Sequence, residues 1–244
     1  MDMHVHTVVG SSDSNLAPED LVSEAVRIGL DAVCLTEHRG KWDKFVFEKF
    51  ASEQPILLIN AMEVETDMGH VIVLGSNGYV SGMSDARKLR QVVDELGGVM
   101  ITAHPFRNYF NRPPYNKNLV FRNGHPEPDT AEEAAKHPLF HLVDELEVAN
   151  GGCNNQENFF ALDVAQQHGR CGTGGSDAHS THGLGKCVTM FDGDIRSEKD
   201  LVEAIKAKAF KAAEGFHLGQ VTYYDLEAQE QMPVLKVHQQ MDLE

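Results

Sequence analysis

Apolar positions along the chain follow two periods, which predict strands that alternate with helices. In strand-like runs the apolar residues are continuous or recur at every second position, and these runs lie at 4–9, 31–38, 55–65, 70–76, 99–105, 142–150, 171–179, 186–192 and 209–215. In helix-like runs they recur every three to four positions, and these runs lie at 18–29, 42–51, 84–96, 155–169 and 197–208. Strands that alternate with helices predict a parallel sheet, which is either open or closed into a barrel.

Local signals mark where several of these elements begin and end. Pro18 suits the first turn of a helix, and Gly29 suits its end. The sequence TDMG at 66–69 is a turn between two strand-like runs, so it predicts a hairpin. Residues 107–138 break the rhythm with five prolines, which predicts a long loop insert that serves as a lid, a binding loop or a disordered segment.

Ionisable and polar side chains interrupt the apolar pattern at the ends of the predicted strands. The residues at or near these ends are His4, His6, His38, Glu63, His104, Asn150, Asp177 and His179. In a parallel barrel the C-terminal ends of all strands open on one face, where catalytic residues gather. We therefore expect these side chains to share one polar pocket.

The first strand carries two histidines that are separated by one residue. His4 and His6 point to the same side of a strand, because strand side chains repeat every two residues. Two ring nitrogens can then reach one cation. Asp2 shares this face and is expected either to ligate the same ion or to orient a histidine. Asp177 and His179 repeat the spacing after a glycine-rich stretch.

A carboxylate inside an apolar run is the next signal. Glu63 lies in AMEVE, where an unpaired buried charge would be very costly, so it needs a partner such as a metal ion. Glu65 is the competing assignment, either as the outward member of the pair or as a solvent-facing residue. TEH at 36–38 is compatible with ligands and equally with a solvated strand end.

The donor types limit the metal that such a pocket would bind. Imidazole combined with carboxylate suits zinc, manganese or iron, and the lack of nearby cysteines argues against a structural thiolate site. The four cysteines form no CxxC pair and are expected to be reduced thiols of a cytoplasmic protein. They are Cys34, Cys153, Cys171 and Cys187.

Length and charge narrow the functional classes. A chain of 244 residues without a Pro/Ser/Gly-rich linker has the size of one α/β barrel of roughly 250 residues. We expect a single domain over 1–244, with its core at about 1–215 and an uncertain C-terminal tail. The formal charge of −16 argues against binding to long nucleic acids. Neither a secretory signal nor an apolar run of roughly 20 residues is evident, so no membrane association is expected.

The ordered set of motifs resembles the PHP (polymerase and histidinol phosphatase) superfamily over about residues 1–215. The matching segments are DMHVHT, SSDS, TEH, AMEVE, GHVIVLG, AHPF and GGSDAH. The chain is most similar to the stand-alone metal-dependent phosphoesterases of that superfamily, rather than to the domain fused to polymerases. The resemblance implies an α/β fold, a distorted (β/α)7 barrel, with the insert at about 107–138 as the place where substrate choice differs.

The resemblance also implies a set of nine metal ligands, which is compatible with two or three divalent ions (Mn, Zn or Fe). These are His4, His6, Asp13, His38, Glu63, His70, His104, Asp177 and His179. Glu63 is implied to bridge two metals, and Asp13 follows from the motif alone. The residues expected to take part in catalysis are Glu63, His104, Asp177 and His179.

The reaction implied is hydrolysis of a small phosphomonoester or phosphodiester, nucleotide-like or sugar-phosphate-like, by a metal-activated hydroxide. Arg107, and after it Arg39, are candidates to clamp the phosphate, with an ordinary loop cation as the alternative for each. A metal-dependent amidohydrolase and a catalytically silent metal-binding regulatory module are the alternative functions. The substrate, the metal and the oligomeric state are left open.

Two residues depart from the pattern of the superfamily. The second motif usually reads TDH, and Glu37 stands here in place of the aspartate, with a side chain longer by one methylene. The third motif often has glycine where Ala61 stands. Neither change removes a ligand from the implied set.

Overall fold

A computed structural model describes residues 1–38, 40–122 and 127–224, and within them strands alternate with helices much as predicted. The strands are β1 (Asp2–Val5), β2 (Ala32–Glu37), β3 (Leu57–Thr66), β4 (Gly69–Leu74), β5 (Val99–Thr102), β6 (Glu145–Asn150), β7 (Thr173–Gly175), β8 (Cys187–Phe191), β9 (Phe210–Glu214) and β10 (Thr222–Tyr223). The α-helices are α1 (Pro18–Ile28), α2 (Lys44–Ser52), α3 (Ala86–Leu96), α4 (Ala131–Ala134), α5 (Pro138–Leu142), α6 (Asn155–Gln167) and α7 (Glu198–Ala207).

Strands β1 to β7 form one sheet in which the strands lie in chain order. The sheet curls until its two edges meet, because the segment after β7 pairs in parallel with the end of β1 through Ala178 and Val5. The backbone N–H of His6 donates to the carbonyl of Ala178 at 3.0 Å. The result is a nearly closed, seven-stranded barrel with helices around it, which confirms the distorted (β/α) barrel.

One strand of the barrel runs against its neighbours. β4 is antiparallel to both β3 and β5, whereas the other pairs in the sheet are parallel. Only Asp67 and Met68 separate β3 from β4, and a parallel crossover needs a dozen or more residues. The predicted hairpin is therefore confirmed. Because β4 is reversed, its first residues lie at the same mouth as the last residues of the parallel strands, which brings His70 there.

The strands near the C-terminus form a second sheet. β8, β9 and β10 are antiparallel in the order β10-β9-β8, so the runs at 186–192 and 209–215 are strands but do not extend the parallel sheet. Thr189 on β8 ties this sheet to the barrel, since its backbone exchanges hydrogen bonds with Met1 and its hydroxyl bonds Gly174. The second sheet therefore covers the edge where β1 and β7 meet.

The insert at 107–138 is only partly a loop, so the prediction of a loop over the whole range is wrong at its C-terminal part. Thr130 caps α4 by accepting from the backbone N–H of Glu133, and Pro138 opens α5. Asn118 donates to the carbonyls of Pro105 and Arg107 at 2.9 and 3.0 Å, which ties the insert to the end of β5. Residues 123–126 lie outside the described residues.

Amphipathic helices cover the outside of the barrel. α1 buries Leu21, Val22 and Ala25, and it ends at Gly29, which adopts a left-handed conformation (φ 80°) that costs glycine little. Among the described helices none is both long and apolar enough to cross a bilayer. The single-domain organisation stays a prediction, and most of the predicted tail, 225–244, lies outside the described residues.

Candidate metal centre

The nine residues of the implied ligand set meet at the mouth of the barrel. We call this set the cluster, and it consists of His4, His6, Asp13, His38, Glu63, His70, His104, Asp177 and His179. Every member has a side-chain nitrogen–oxygen distance of 3.4 Å or less to another member. The structure thus brings all nine together, and their role as metal ligands stays a prediction.

The two histidines at the end of β1 lie deepest in the cluster. His4 and His6 are fully buried, and their Nε2 atoms are 3.0 Å apart. The Nε2 atom of His6 lies 3.3 Å from Glu63 and 3.2 Å from Asp177. Both rings point into the barrel mouth because the strand places every second side chain on the same face.

Glu63 on β3 is the centre of the cluster. Its Oε1 atom lies 2.9 Å from a ring nitrogen of His70 and 2.9 Å from one of His104. Its Oε2 atom faces His4, His6 and His38 at 3.4, 3.3 and 3.2 Å. The competing Glu65 lies two residues further along β3, where its side chain is 74% exposed. The buried member of the pair is therefore Glu63.

Two cluster residues adopt a backbone conformation that is rare for L-amino acids. His104 has φ 31° and Asp177 has φ 54°, and each lies two residues beyond the end of a strand. Non-glycine residues in this region are uncommon and concentrate at functional sites, where the surrounding structure holds them. Here the strained turns direct both side chains back over the barrel mouth.

Three residues form the outer, more exposed part of the cluster. Asp13 lies in the loop after β1 with its side chain 56% exposed, and its Oδ2 atom is 3.4 Å from Nε2 of both His38 and His179. The ring of His179 is fixed by a 2.9 Å hydrogen bond between its Nδ1 atom and the carbonyl of Asp177. This outer part is where solvent or a substrate reaches the cluster.

Asp2 does not join the cluster, contrary to the expectation that it would ligate a metal or orient a histidine ring. Its carboxylate is fully buried and accepts from the backbone N–H groups of Ser176, Gly185 and His4 at 2.8, 3.0 and 3.3 Å. It therefore joins β1 to the segments that follow β7. Within residues 1–38, 40–122 and 127–224, the carboxylate accepts from backbone N–H groups and from no imidazole.

Arg107 lies beside the cluster, as its candidate role requires. Its Nη2 atom donates to Asp177 and, at 2.8 Å, to the side chain of Asn150. Gly152 leaves room for it, since an ideal Cβ there would lie 2.6 Å from that nitrogen. The second candidate, Arg39, lies outside the described residues.

Sequence reasoning missed one buried carboxylate that supports the cluster. Glu147 in the middle of β6 lies 3.0 Å from Nδ1 of His4, and it also accepts from the backbone N–H of His104 and from Asn150. A carboxylate on the outer nitrogen of a histidine fixes which nitrogen faces the metal side. The rule that singled out Glu63, a carboxylate within an apolar strand, applies equally to ELEVAN and would have found it.

The electrostatics of the cluster favour positive charge at its centre. Burial works to raise the pKa of Glu63, but the neighbouring imidazoles, His4 first, hold that pKa well below its usual range. Burial works to lower the pKa of His4, but the carboxylates of Glu147, Asp177 and Glu63 hold it well above its usual range. Glu63 is therefore ionised, and its negative charge favours a cation in the space beside it.

The donor atoms of the cluster fit divalent metal ions. Three groups each offer one ligand atom per residue with all atoms within 4.8 Å of one another: His6, His38 and His179; His4, Glu63 and His104; His4, His6 and Asp177. Among the described residues, the buried Oε2 atom of Glu63 has no hydrogen-bond partner, although five imidazoles surround the carboxylate. A buried carboxylate oxygen without a donor is costly, and a metal ion would satisfy it.

Solved structures share the fold of this chain. PsfC from Pseudomonas syringae PB-5123 superposes with a TM-score of 0.57 at 18% identity, covering 84% of this chain and 88% of that protein. A protein from Bifidobacterium adolescentis, described as a "putative metal-dependent phosphoesterase", superposes with a TM-score of 0.54 at 17% identity, covering 84% and 94%. At these identities the likeness concerns the fold.

Curated relatives are much longer proteins. An error-prone DNA polymerase of Nocardia farcinica is 36% identical over 63 residues, and that of Mycobacterium tuberculosis H37Rv is 33% identical over 75 residues. The matched segments span 26% and 31% of this chain but only 6% of each polymerase. The similarity therefore concerns a small part of the polymerases.

Two family models match the chain. The model of the PHP domain matches residues 2–123, and that of a PHP-associated region matches residues 155–210. The first range contains the cluster residues from His4 to His104, and the second contains Asp177 and His179. With these matches and the cluster at the mouth of its barrel, the chain belongs to the PHP family.

Proposed function

We propose that this protein is a metal-dependent phosphoesterase that hydrolyses a small phosphomonoester or phosphodiester, nucleotide-like or sugar-phosphate-like. The observation that carries the proposal is the surrounding of Glu63. Five ring nitrogens lie within 3.4 Å of the two oxygens of this buried carboxylate, and no lysine or arginine pairs with it among the described residues. Such a centre suits two or three divalent cations that share one carboxylate.

The residues of the cluster can be assigned to neighbouring metal ions. Glu63 would bridge them, the deep residues His4, His6 and Asp177 would hold one side, and the outer set that includes Asp13 would hold the other. When bound, the metals supply a Lewis acid for phosphate oxygens and make a water molecule acidic enough to act as a nucleophile near neutral pH. Imidazole and carboxylate donors suit manganese, zinc or iron.

Residues beside the cluster would bind and orient the phosphate. The Arg107 guanidinium reaches Asp177 from the side of the insert, and its buried Nε–H has no partner in the part of the chain that the structure describes. A guanidinium can present two N–H groups to two phosphate oxygens. Arg107 would thus fix the phosphate against the cluster, and Arg39 is the second candidate for this role.

His179 is positioned to move a proton at the exposed side of the cluster. Its Nδ1 atom is 2.9 Å from a backbone carbonyl and therefore carries hydrogen, which leaves Nε2 free on the side of Asp13. The ring is partly exposed, with 31% of the side chain accessible. In this position it would hold a metal, or take up a proton at Nε2 and deliver it to the departing alkoxide.

The proposed partner is a small phosphorylated molecule, with neither long nucleic acid nor a membrane. The net charge of −16 supports this, because the excess of carboxylates would repel a long phosphate backbone. All four cysteines are free thiols, which suits the reducing cytoplasm proposed as the compartment.

A phosphate-release screen tests the function. The full chain, loaded in turn with manganese, zinc and iron, is assayed against nucleotides, sugar phosphates and short phosphodiesters. We expect metal-dependent phosphate release that is lost in His104→Ala and Asp177→Ala proteins with wild-type circular dichroism. Release of ammonia or a carboxylate from amide substrates instead would indicate an amidohydrolase, and inertness of the metal-loaded protein would indicate a binding module.

A further inference from the structure

We propose that Glu37 is a positioning residue that fixes the tautomer of His6 through Ser11 and thereby prepares His6 to bind a metal. The proposal rests on the metal-binding part of the proposed function. It concerns the position at which this chain has glutamate where the family motif usually has aspartate. Three observations carry it: the partners of Glu37, the hydrogen count at Ser11 and the space left by Gly10.

The carboxylate of Glu37 is fully buried next to the cluster and accepts hydrogen bonds only. Ser11 Oγ donates to it at 2.6 Å, and the indole Nε1–H of Trp42 donates at 2.9 Å. Thr7 donates through its hydroxyl and, at 3.1 Å, through its backbone N–H. An ionised carboxylate has only acceptors, so each of these neighbours must supply its hydrogen to Glu37.

The hydroxyl of Ser11 links this carboxylate to His6. Ser11 has one proton, which goes to Glu37, so its oxygen must accept from every other partner. These partners are the backbone N–H of His38 at 3.2 Å and Nδ1 of His6 at 3.1 Å. Nδ1 of His6 therefore carries the hydrogen, and the lone pair lies on Nε2, the nitrogen that faces Glu63 and Asp177.

Glu147 holds His4, the other histidine, in the same way but by a direct contact, with no serine between the carboxylate and the ring. It accepts directly from Nδ1 of His4 at 3.0 Å, which leaves Nε2 of that ring free. When both rings are neutral, the two Nε2 lone pairs face each other across 3.0 Å, an arrangement that a shared cation stabilises. Two buried carboxylates thus set the two deep histidines for the same task.

The length of Glu37 is matched by its surroundings. An ideal Cβ at Gly10 would lie 2.5 Å from Cβ and 2.6 Å from Cγ of Glu37, so glycine leaves the space that the side chain occupies. An aspartate would withdraw the carboxylate by ~1.5 Å, one carbon–carbon bond, and lose the 2.6 Å contact with Ser11. The longer side chain is therefore what reaches the serine in this chain.

Glu37→Gln is the decisive variant, because the direction of its amide can be foreseen. Trp42 Nε1 and the backbone N–H of Thr7 can only donate, and both lie within 3.3 Å of Oε1, so this atom becomes the amide oxygen and the amide nitrogen then donates to Ser11. Ser11 in turn gives its proton to Nδ1 of His6, which moves the ring hydrogen to Nε2. In chelator-treated protein labelled with ¹⁵N-histidine, at an alkaline pH where the rings are neutral, NMR should show His6 change from the Nδ1–H to the Nε2–H form. Zinc and manganese should bind roughly 10- to 100-fold more weakly by calorimetry.

Ser11→Ala keeps the test decisive if the first variant does not fold. This variant keeps the other hydrogen-bond donors of Glu37 and removes only the hydroxyl that links Glu37 to His6. His6 should therefore lose its preference for the Nδ1–H form, and metal binding should weaken. Glu65→Gln on β3 is the matched control, with the same chemical change on an exposed side chain, and should behave as wild type.

A wild-type tautomer and wild-type metal affinity in the folded variants would overturn the proposal. Neither measurement involves turnover, so an inactive wild-type enzyme would reject the proposed reaction without affecting this test.

Discussion

Two buried carboxylates of this protein, on neighbouring parts of the barrel, have opposite surroundings. Asp2 on β1 accepts from three backbone N–H groups, of Ser176, Gly185 and His4. Glu63 on β3 is equally buried, but it is surrounded by imidazole rings and its Oε2 atom has no hydrogen-bond donor. Burial raises the pKa of Asp2, whereas the imidazoles hold the pKa of Glu63 well below its usual range against the effect of burial.

The difference separates a structural carboxylate from a binding one. Backbone amides around Asp2 are fixed by the fold and satisfy the carboxylate within the protein itself. The imidazoles around Glu63 offer ring nitrogens that, in the proposed function, would bind a cation together with the carboxylate. The type of neighbour therefore distinguishes the two roles where burial and strand position do not.

Glu63→Gln should give the largest effect on function. The amide cannot bridge two cations, so we expect at least about a 100-fold loss of phosphate release, equivalent to about 2.7 kcal/mol, together with loss of metal from the purified protein. Metal content by mass spectrometry and phosphate release check this. Glu65→Gln is the control, and retention of a full metal complement by Glu63→Gln would contradict the role of Glu63.

Asp2→Ala should give the largest effect on stability. It leaves three buried N–H groups without an acceptor, and at about 1 kcal/mol or more each the free energy of unfolding should fall by about 3 kcal/mol. Urea denaturation in the presence of a chelator measures this. At low temperature the folded variant should bind the same number of metal ions as the wild type. A lower number of bound metal ions would show that Asp2 takes part in metal binding.

Removal of metal should affect the two regions differently. A ligand present at 100 times its Kd stabilises the folded state by about 2.7 kcal/mol, so a chelator should lower the melting temperature of the metal-loaded wild type and of Asp2→Ala by similar amounts. Glu63→Gln should melt at the same temperature with and without chelator. Thermal scans measure these melting temperatures. If the chelator lowered the melting temperature equally in all three proteins, the metal would bind elsewhere.

Gly152→Ala should give the smallest effect and tests the edge of the cluster. The new methyl group displaces the Arg107 guanidinium from Asp177 and Asn150 without removing its charge. We expect KM to rise about fivefold, or roughly 1 kcal/mol, with a smaller change in kcat and unchanged metal content. A wild-type KM would argue that Arg107 does not bind the phosphate.

Local pattern predicts most of the fold because the signals are short-range. The periodicity of 18–29, its proline and its final glycine specify a helix, and TDMG specifies the β3–β4 hairpin without reference to distant residues. The placement of β8 and β9 in a separate antiparallel sheet could not be read this way, since strand partners are chosen by tertiary packing. The short helices after residue 130 depend on caps within a segment whose prolines suggested a loop.

The site was partly predictable for a related reason. Strand ends identify which residues reach the mouth, so His4, Glu63 and His104 could be grouped from the sequence. Asp13 came only from the resemblance to a family, because a loop residue has no periodicity that gives its direction. Asp2 was assigned to the wrong surroundings, since strand alternation gives the face of a side chain but not its neighbours.

By itself, the sequence determined the order of strands and helices and the residue types available at one end of the barrel, because both depend on local periodicity. Only the tertiary structure decided which carboxylates meet imidazole, which meet backbone amides, and that Glu147 and Glu37 support the two histidines of β1. Many of these contacts join residues that are far apart in the chain, such as Ser11 and Glu37, 26 positions apart, and His4 and Glu147, 143 positions apart. Closure of the barrel sets these distances.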